Sequence, residues 1–263
     1  MNLTFLEKIT AEAREHVAAA RSNGYLPKLT RIAEENAERR RKNAFFDALS
    51  DKTSVNIIAE IKRASPSKGV IKSNVDPASL ARRYAAGGAA AISVLTEPNH
   101  FGGSMSDLVK VARSVDLPIL RKDFIVDEYQ IIEAAAGGAS AILLIVAALP
   151  EGRLRSLHRS AVEYGLDVLV EIHNSEELEI AADIGAAIIG VNNRDLHSLE
   201  VSLDVSRLLI AERPVNALMI AESGISTRDE IDELRALGFD GFLIGETLMR
   251  SGDVVNELGE LTA

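Results

Sequence analysis

The chain contains no cysteine and no tryptophan, and aromatic residues make up only 4% of it. Without cysteine there is no disulfide, no zinc–thiolate site and no thiol nucleophile, a composition that suits a reducing cytoplasm. With so few aromatics the core must be built from Ala, Val, Ile and Leu, the usual filling of a parallel sheet covered by helices. Long apolar runs are missing too. The longest, 139–149, falls short of the about 20 residues a membrane-spanning helix needs. The first residues, MNLTFLEKITAEAREH, are charged and amphipathic, unlike a signal peptide. Basic residues are outnumbered 29 to 39, a net charge of −10, which disfavours wholesale nucleic-acid binding. An anionic substrate would have to be held by local Lys and Arg against that overall field.

What is present is alternation. Four short apolar runs each follow a glycine-containing break: AAISVL (90–95), AILLIV (141–146), AAIIGV (186–191) and GFLIG (241–245). Four more interleave with them: NIIAEI (56–61), LPILR (117–121), DVLVEI (167–172) and ALMIAE (217–222). Helix-length segments separate neighbours, at 77–86, 104–114, 127–136, 151–164, 175–184, 203–213 and 227–237, with a last one at 252–261. Asp76, Asn174 and Ser226 stand as cap residues before three of them. Eight strands alternating with eight helices predict an α/β protein of the (β/α)8 barrel type, which at 263 residues fits one domain spanning 1–263. An open doubly wound sheet is the alternative, but no GxGxxG follows the first strand. Residues 1–47 hold no strand. They read as a helical extension on the barrel, with helices at 4–21 and about 28–42, the second ending in the basic run 39–42, expected to be a solvated helix end.

Active sites of such barrels lie at the carboxyl ends of the strands. Residues two apart on a strand share a face, so Glu60 and Lys62 project together beyond Ile58. By the same parity Lys122 follows Leu120, Glu171 follows Leu169, Asn192 follows Gly190 and Glu222 follows Ile220. Any one of these is unremarkable as a solvated strand-end group. Two lysines, three glutamates and an amide at one depth are not, and such a ring can supply acid and base at neutral pH. Ser223-Gly224 and Gly245-Glu246 follow the seventh and eighth strands, where barrels of this kind bind phosphate, and Ser65 could close the same site. Lys62, Lys122 and Arg194 are cations to spare, suggesting a second anionic group on the substrate. The five histidines, at 16, 100, 158, 173 and 197, are scattered and form no metal motif; His173 lies off the face of Glu171 and reads as structural.

AEIKRASPSKG (59–69), LTEPNHFGGS (95–104), LRKDFIVDEYQI (120–131), LLIVAAL (143–149), LVEIHN (169–174), IGVNNRDL (189–196), AESGI (221–225) and GFLIGETLM (241–249) resemble, in order, the motifs of the indole-3-glycerol-phosphate synthases of tryptophan biosynthesis. The resemblance covers the whole chain. It implies a cytoplasmic carboxy-lyase that closes the ring of 1-(2-carboxyphenylamino)-1-deoxyribulose 5-phosphate, releasing carbon dioxide and water, with no cofactor or metal. It further implies a monomer, with contacts to other enzymes of the pathway left open. By position, Lys122 matches the general acid and Glu171 its acidic partner. Lys62 matches a binding residue and second-step acid. Glu60 and Asn192 match residues holding substrate hydroxyl and amine, with Glu60 also a candidate final base. Glu222 closes the polar ring, Arg194 matches the residue near the substrate carboxylate, and Phe101 and Phe124 would face its aromatic ring. Ser65, Ser223, Gly224, Gly245 and Glu246 match phosphate-loop positions. Glu246 departs from the serine of some members, and there only its backbone N–H suits a phosphate. Lys122 as an acid needs a lowered pKa, and burial and Lys62 are expected to lower it against the pull of Glu171. Two other readings of the same residues are a Schiff-base aldolase with Lys122 as nucleophile and a non-catalytic phosphosugar-binding barrel.

Overall fold

Eight parallel strands close into a ring in the computed structural model, which describes residues 4–196 and 198–263. In chain order the strands are β1 (Ile57–Ile61), β2 (Ala64–Ser65), β3 (Gly69–Val70), β4 (Ala91–Leu95), β5 (Ile119–Lys122), β6 (Ala141–Ile145), β7 (Asp167–Ile172), β8 (Ile188–Asn192), β9 (Leu218–Glu222) and β10 (Gly241–Ile244). β2 and β3 form a small antiparallel ribbon in the loop after β1, and the other eight are the barrel. β1 closes it, pairing Ile58 with Leu243 of β10 on one side and Glu60 with Ser93 of β4 on the other. The (β/α)8 expectation is met.

Strand alternation divides the core in two. Ile58, Leu120, Leu143, Leu169, Ile188, Ile220 and Leu243 pack together inside the barrel. Ile57, Ala59, Ile61, Ile119, Val170, Ile189 and Met219 belong to the layer between strands and helices. Glu60, Lys122, Glu171 and Glu222 each lie two residues beyond a member of the inner set, so they point into the barrel mouth above an apolar interior.

Three helices precede the barrel: α1 (Phe5–Ser22), α2 (Leu26–Arg39) and α3 (Ala44–Leu49). Thr4 and Glu7 cap α1 reciprocally. α3 was not expected from the sequence, and a boundary at residue 47 would cut it. Six residues are too few to show a helical period, and its capping partner is distant in sequence. The Asp167 carboxylate of β7 accepts the N–H of Phe45 at 2.9 Å and of Phe46 at 3.2 Å. Phe45 and Leu49 then plug the lower end of the barrel interior, both fully buried.

The remaining helices are α4 (Pro77–Ala86), α5 (Met105–Ala112), α6 (Glu128–Gly137), α7 (Glu151–Glu163), α8 (Ser175–Asp183), α9 (Asp204–Leu209), α10 (Arg228–Leu237), α11 (Glu246–Arg250) and α12 (Val254–Thr262). Asp76 and Asn174 cap as expected, but Thr227 rather than Ser226 caps α10, with Glu230 completing the box. The basic run 39–42 at the end of α2 is only partly a solvated helix end. Arg40 donates to the carbonyls of Tyr164 at 2.8 Å and Ala135 at 2.9 Å, fastening α2 to the ends of α6 and α7. Both carbonyls lie at helix C-terminal ends, where backbone donors run short, and the guanidinium fork reaches the two at once. No described helix is long and apolar enough to cross a membrane.

Candidate active site

The inner faces of β1, β5, β7, β8 and β9 deliver their last polar side chains to one point. Lys122 Nζ stands 2.8 Å from Glu171 Oε2 and 3.3 Å from Glu222 Oε2. Asn192 Nδ2 donates to the other oxygen of Glu171 at 3.0 Å. Across the mouth, Lys62 Nζ and Glu60 Oε1 pair at 2.6 Å. Strand register explains the convergence, because Asn192 is level with Glu222, and Glu171 with Gly190.

Gly190 is there for space. A Cβ at that position would fall on Glu222 Oε1 and come 3.2 Å from Leu169 Cδ1. Gly190→Ala is therefore expected to fold, at a cost of about 1–3 kcal/mol for overpacking. It should also push Glu222 off Lys122 and lower kcat at least about tenfold. Thermal denaturation and turnover measured side by side check this.

The buried charges act on one another. Burial works against the Lys122 ammonium, but Glu171, Glu222 and Glu60 outweigh it and raise its pKa above the ordinary lysine value. This reverses the lowering expected from the sequence. Lys62, counted there as a repelling neighbour, is engaged by Glu60 instead. Glu171 is also buried, which alone would raise its pKa; Lys122, His173 and the hydrogen bonds it accepts carry it below the usual carboxylate range. Glu222 moves the other way. Burial raises its pKa, Lys122 opposes, and the Glu171 charge adds to the rise. Its Oε1 is buried without a hydrogen-bond partner. Two carboxylates of opposite tendency around one ammonium are the arrangement acid–base chemistry uses.

All fourteen residues singled out from the sequence line one cavity of about 630 Å³: Glu60, Lys62, Ser65, Phe101, Lys122, Phe124, Glu171, Asn192, Arg194, Glu222, Ser223, Gly224, Gly245 and Glu246. The Phe101 and Phe124 rings face the same space with centroids 6.2 Å apart. Arg194 bridges the rim, donating to Ser67 Oγ at 3.2 Å and to the Leu199 carbonyl at 2.9 Å. At the β9 end Ser223 and Gly224 both take left-handed backbone conformations, φ 64° and 81°. A non-glycine residue held there is strained, and strain of this kind gathers at functional sites. Gly245 precedes α11, and a Cβ there would come 2.9 Å from Lys62 Nζ and 3.1 Å from Glu60 Cβ, so glycine admits the first-strand pair to this side of the mouth. The Glu246 carboxylate is turned to Arg250 at 3.0 Å.

Three contributors escaped the sequence reading. Phe5 of α1 and Arg250 of α11 line the cavity. His173 was set off the Glu171 face, but residues two apart share a face, and its Nε2 lies 3.5 Å from Glu171 Oε1. Phe5 falls in the first turn of the helix expected at 4–21, and nothing local in the sequence distinguishes it.

The sequence showed no metal motif, but Glu12, Glu97 and His100 place ligand atoms within 4.8 Å of one another. They already have other work. Glu97 accepts the N–H groups of Asn99, His100 and Phe101, and Glu12 takes Asn99 and His100, latching α1 to the loop after β4. His197 lies outside the described residues.

The family profile described as "Indole-3-glycerol phosphate synthase" matches residues 6–261. The chain is 46% identical over 256 residues to the indole-3-glycerol phosphate synthase of Koribacter versatilis, covering 97% of this chain and 98% of that protein. It is 42% identical over 261 residues to that of Bordetella pertussis, covering 98% of each. Among solved structures, 3-hexulose-6-phosphate synthase from Salmonella typhimurium superposes with a TM-score of 0.64 at 14% identity, over 79% of this chain and 96% of that one, a likeness of fold alone. With a full-length profile match and relatives of this identity along its whole length, the chain belongs to the indole-3-glycerol phosphate synthase family.

Proposed function

We propose that this protein is the carboxy-lyase its family name describes, converting 1-(2-carboxyphenylamino)-1-deoxyribulose 5-phosphate to indole-3-glycerol phosphate, carbon dioxide and water in tryptophan biosynthesis. The observation that carries the reading is the Lys122 ammonium at the cavity base, bracketed by Glu171 and Glu222 and facing the Glu60–Lys62 pair. The ring carbon bearing the carboxylate attacks the ketone carbon, and Lys122 gives its proton to the ketone oxygen. A lysine held this firmly as ammonium is always loaded with its proton. It transfers that proton late, as the oxygen becomes an alkoxide and its basicity rises. Loss of carbon dioxide returns the bonding pair to the ring. The hydroxyl then leaves as water on a proton from Lys62, and the Glu60 carboxylate removes the last proton to form the indole double bond. Asn192 holds Glu171 and the substrate amine, and Glu222 closes the polar ring.

The anionic ends of the substrate divide the cavity. Ser65, Ser223, Gly224, Gly245 and the backbone of Glu246 take the phosphate. Arg194 takes the carboxylate, and Phe101 and Phe124 flank the aromatic ring. The site as read draws all of these residues from one chain and needs none from a second copy, and we take the enzyme to be a monomer. In this reading the enzyme is cytoplasmic, uses no cofactor, and is free to pass its product to another enzyme of the pathway. The raised pKa of Lys122 argues against the Schiff-base aldolase, whose nucleophile must be a free amine.

A turnover assay with the purified protein, following indole fluorescence, tests the proposal. Product formation is the expected result. Tight substrate binding without turnover would instead favour a non-catalytic phosphosugar-binding barrel, and a borohydride-trapped adduct on Lys122 would favour the aldolase.

A further inference from the structure

His173 follows β7 and is the residue behind Glu171. Its backbone N–H donates to Glu177 Oε2 at 2.8 Å, and its ring Nδ1 lies 3.1 Å from the same oxygen. Glu177 is itself fixed at the start of α8. Asn174 Nδ2 donates to its second carboxylate oxygen at 3.0 Å, and its backbone N–H donates to Asn174 Oδ1 at 2.9 Å. An ionised carboxylate only accepts, so Nδ1 must carry a hydrogen. That settles what Nε2 can be. In a neutral ring it would present a lone pair to the carboxylate oxygen of Glu171, 3.5 Å away and only 2% exposed, which is repulsive. In the cation it presents N–H. Nε2 is buried without a hydrogen bond, and its 3.5 Å approach to Glu171 is an ion-pair contact. The charged groups facing the ring are Glu177 from α8, Glu171 from β7 and Glu222 from β9, with Lys122 of β5 beyond Glu171; the three carboxylates raise its pKa against the lowering effect of burial.

The geometry points to His173 as a positioning residue for ring closure: a cation clamped between Glu177 and Glu171 that keeps Glu171 ionised and its Oε2 turned toward Lys122. The clamp has a chemical consequence. A positive charge behind Glu171 shares that carboxylate with Lys122, so it weakens the hold of the carboxylates on the Lys122 proton and favours the transfer. The inference rests on the proposed part of Glu171 in catalysis.

The test has two arms. In protein labelled with ¹⁵N-histidine, the His173 signals are identified by their loss in His173→Gln, or in His173→Asn should the first fail to fold. Both ring nitrogens should be protonated at pH 7 in the wild type, and Glu177→Gln should make the ring lose its proton at lower pH. A neutral ring at pH 7 overturns the proposal, whether or not the protein turns over substrate. In the kinetic arm, His173→Gln should lower kcat about tenfold with KM within about threefold, the size of effect one neighbouring charge has on a site. The acidic limb of the kcat–pH profile should move upward, because Glu171 loses a cation that favours its ionised form. An unmoved limb, with or without a loss of rate, reduces His173 to packing and overturns the inference. Absence of turnover in the wild type would reject the ring-closure reading separately.

Discussion

Lys122→Ala is expected to lower kcat by about 10²- to 10⁴-fold, the range a positioned general acid contributes. KM should change much less, since phosphate and carboxylate are held by groups on other strands. Retention of more than about a tenth of the activity would remove Lys122 from the acid's role. The same substitution makes a stability prediction with a definite sign. Removing one partner from a buried ionic cluster leaves the others uncompensated, at a cost of about 3–5 kcal/mol. Here the groups left behind are Glu171 and Glu222, both 2% exposed. Without the ammonium, burial and mutual repulsion hold their pKa values above the about 4.3 of an unfolded glutamate. The folded variant then binds more protons than the unfolded chain between about pH 5 and 8, so its stability falls as pH rises through that window. The melting-temperature gap between variant and wild type should therefore be wide at pH 8 and narrow at pH 5.5. Calorimetry at the two pH values measures it, and a gap independent of pH would show that the carboxylates are not coupled through Lys122.

How far the site was readable from sequence depends on the range of the forces involved. Parity along a strand is a covalent fact, so Glu60 and Lys62, or Leu169 and Glu171, had to share a face once each run was read as a strand. That placed the polar ring before any contact was known. The barrel followed from the alternation of runs and glycine-ended helices. What could not be read was whatever required knowing a neighbour from another element. α3 is six residues long and capped by Asp167, more than a hundred positions away. Arg40 looks like any charge at a helix end until α6 and α7 offer it two carbonyls. The Lys122 pKa was misjudged for the same reason: sequence places Lys62 and Glu171 in the ring but not the Lys62–Glu60 pairing, nor the approach of Glu222 from the far side. His173 is the opposite case: it stands two residues after Glu171, so parity puts the two on one face, and setting it off that face misapplied the rule rather than met its limit.

Glu171→Gln should lower kcat by about 10²- to 10³-fold, consistent with loss of one preorganised charge at the reacting centre. Mismatched donors cause the loss. Glu171 Oε2 faces Lys122 Nζ, and Oε1 faces Asn192 Nδ2 and, further off, His173 Nε2. An amide in its place sets one N–H₂ against at least one of these donors. If its oxygen stays on Lys122, its nitrogen meets Asn192. That residue cannot simply invert, because its Oδ1 already accepts the Arg194 N–H at 3.1 Å. The substitution therefore loosens Lys122 and Asn192 together, and the loss should exceed that of Glu171→Asp, which keeps the charge but draws it back by one methylene. A titration should accompany the rate change. Burial, and after it the Glu171 charge, hold the Glu222 pKa up, while Lys122 holds it down. Removing the Glu171 charge leaves Glu222 next to the ammonium without its competitor, so Glu222 should ionise at lower pH in Glu171→Gln than in the wild type. Infrared difference spectra of the carboxyl band across pH 4–9, with Glu222→Gln to assign it, would follow that shift. A Glu222 band that titrates at the same pH in both proteins, or a Glu171→Gln enzyme within about threefold of wild-type kcat, would mean that Lys122 answers to Glu222 and Glu60 and that Glu171 is a bystander at the cavity base.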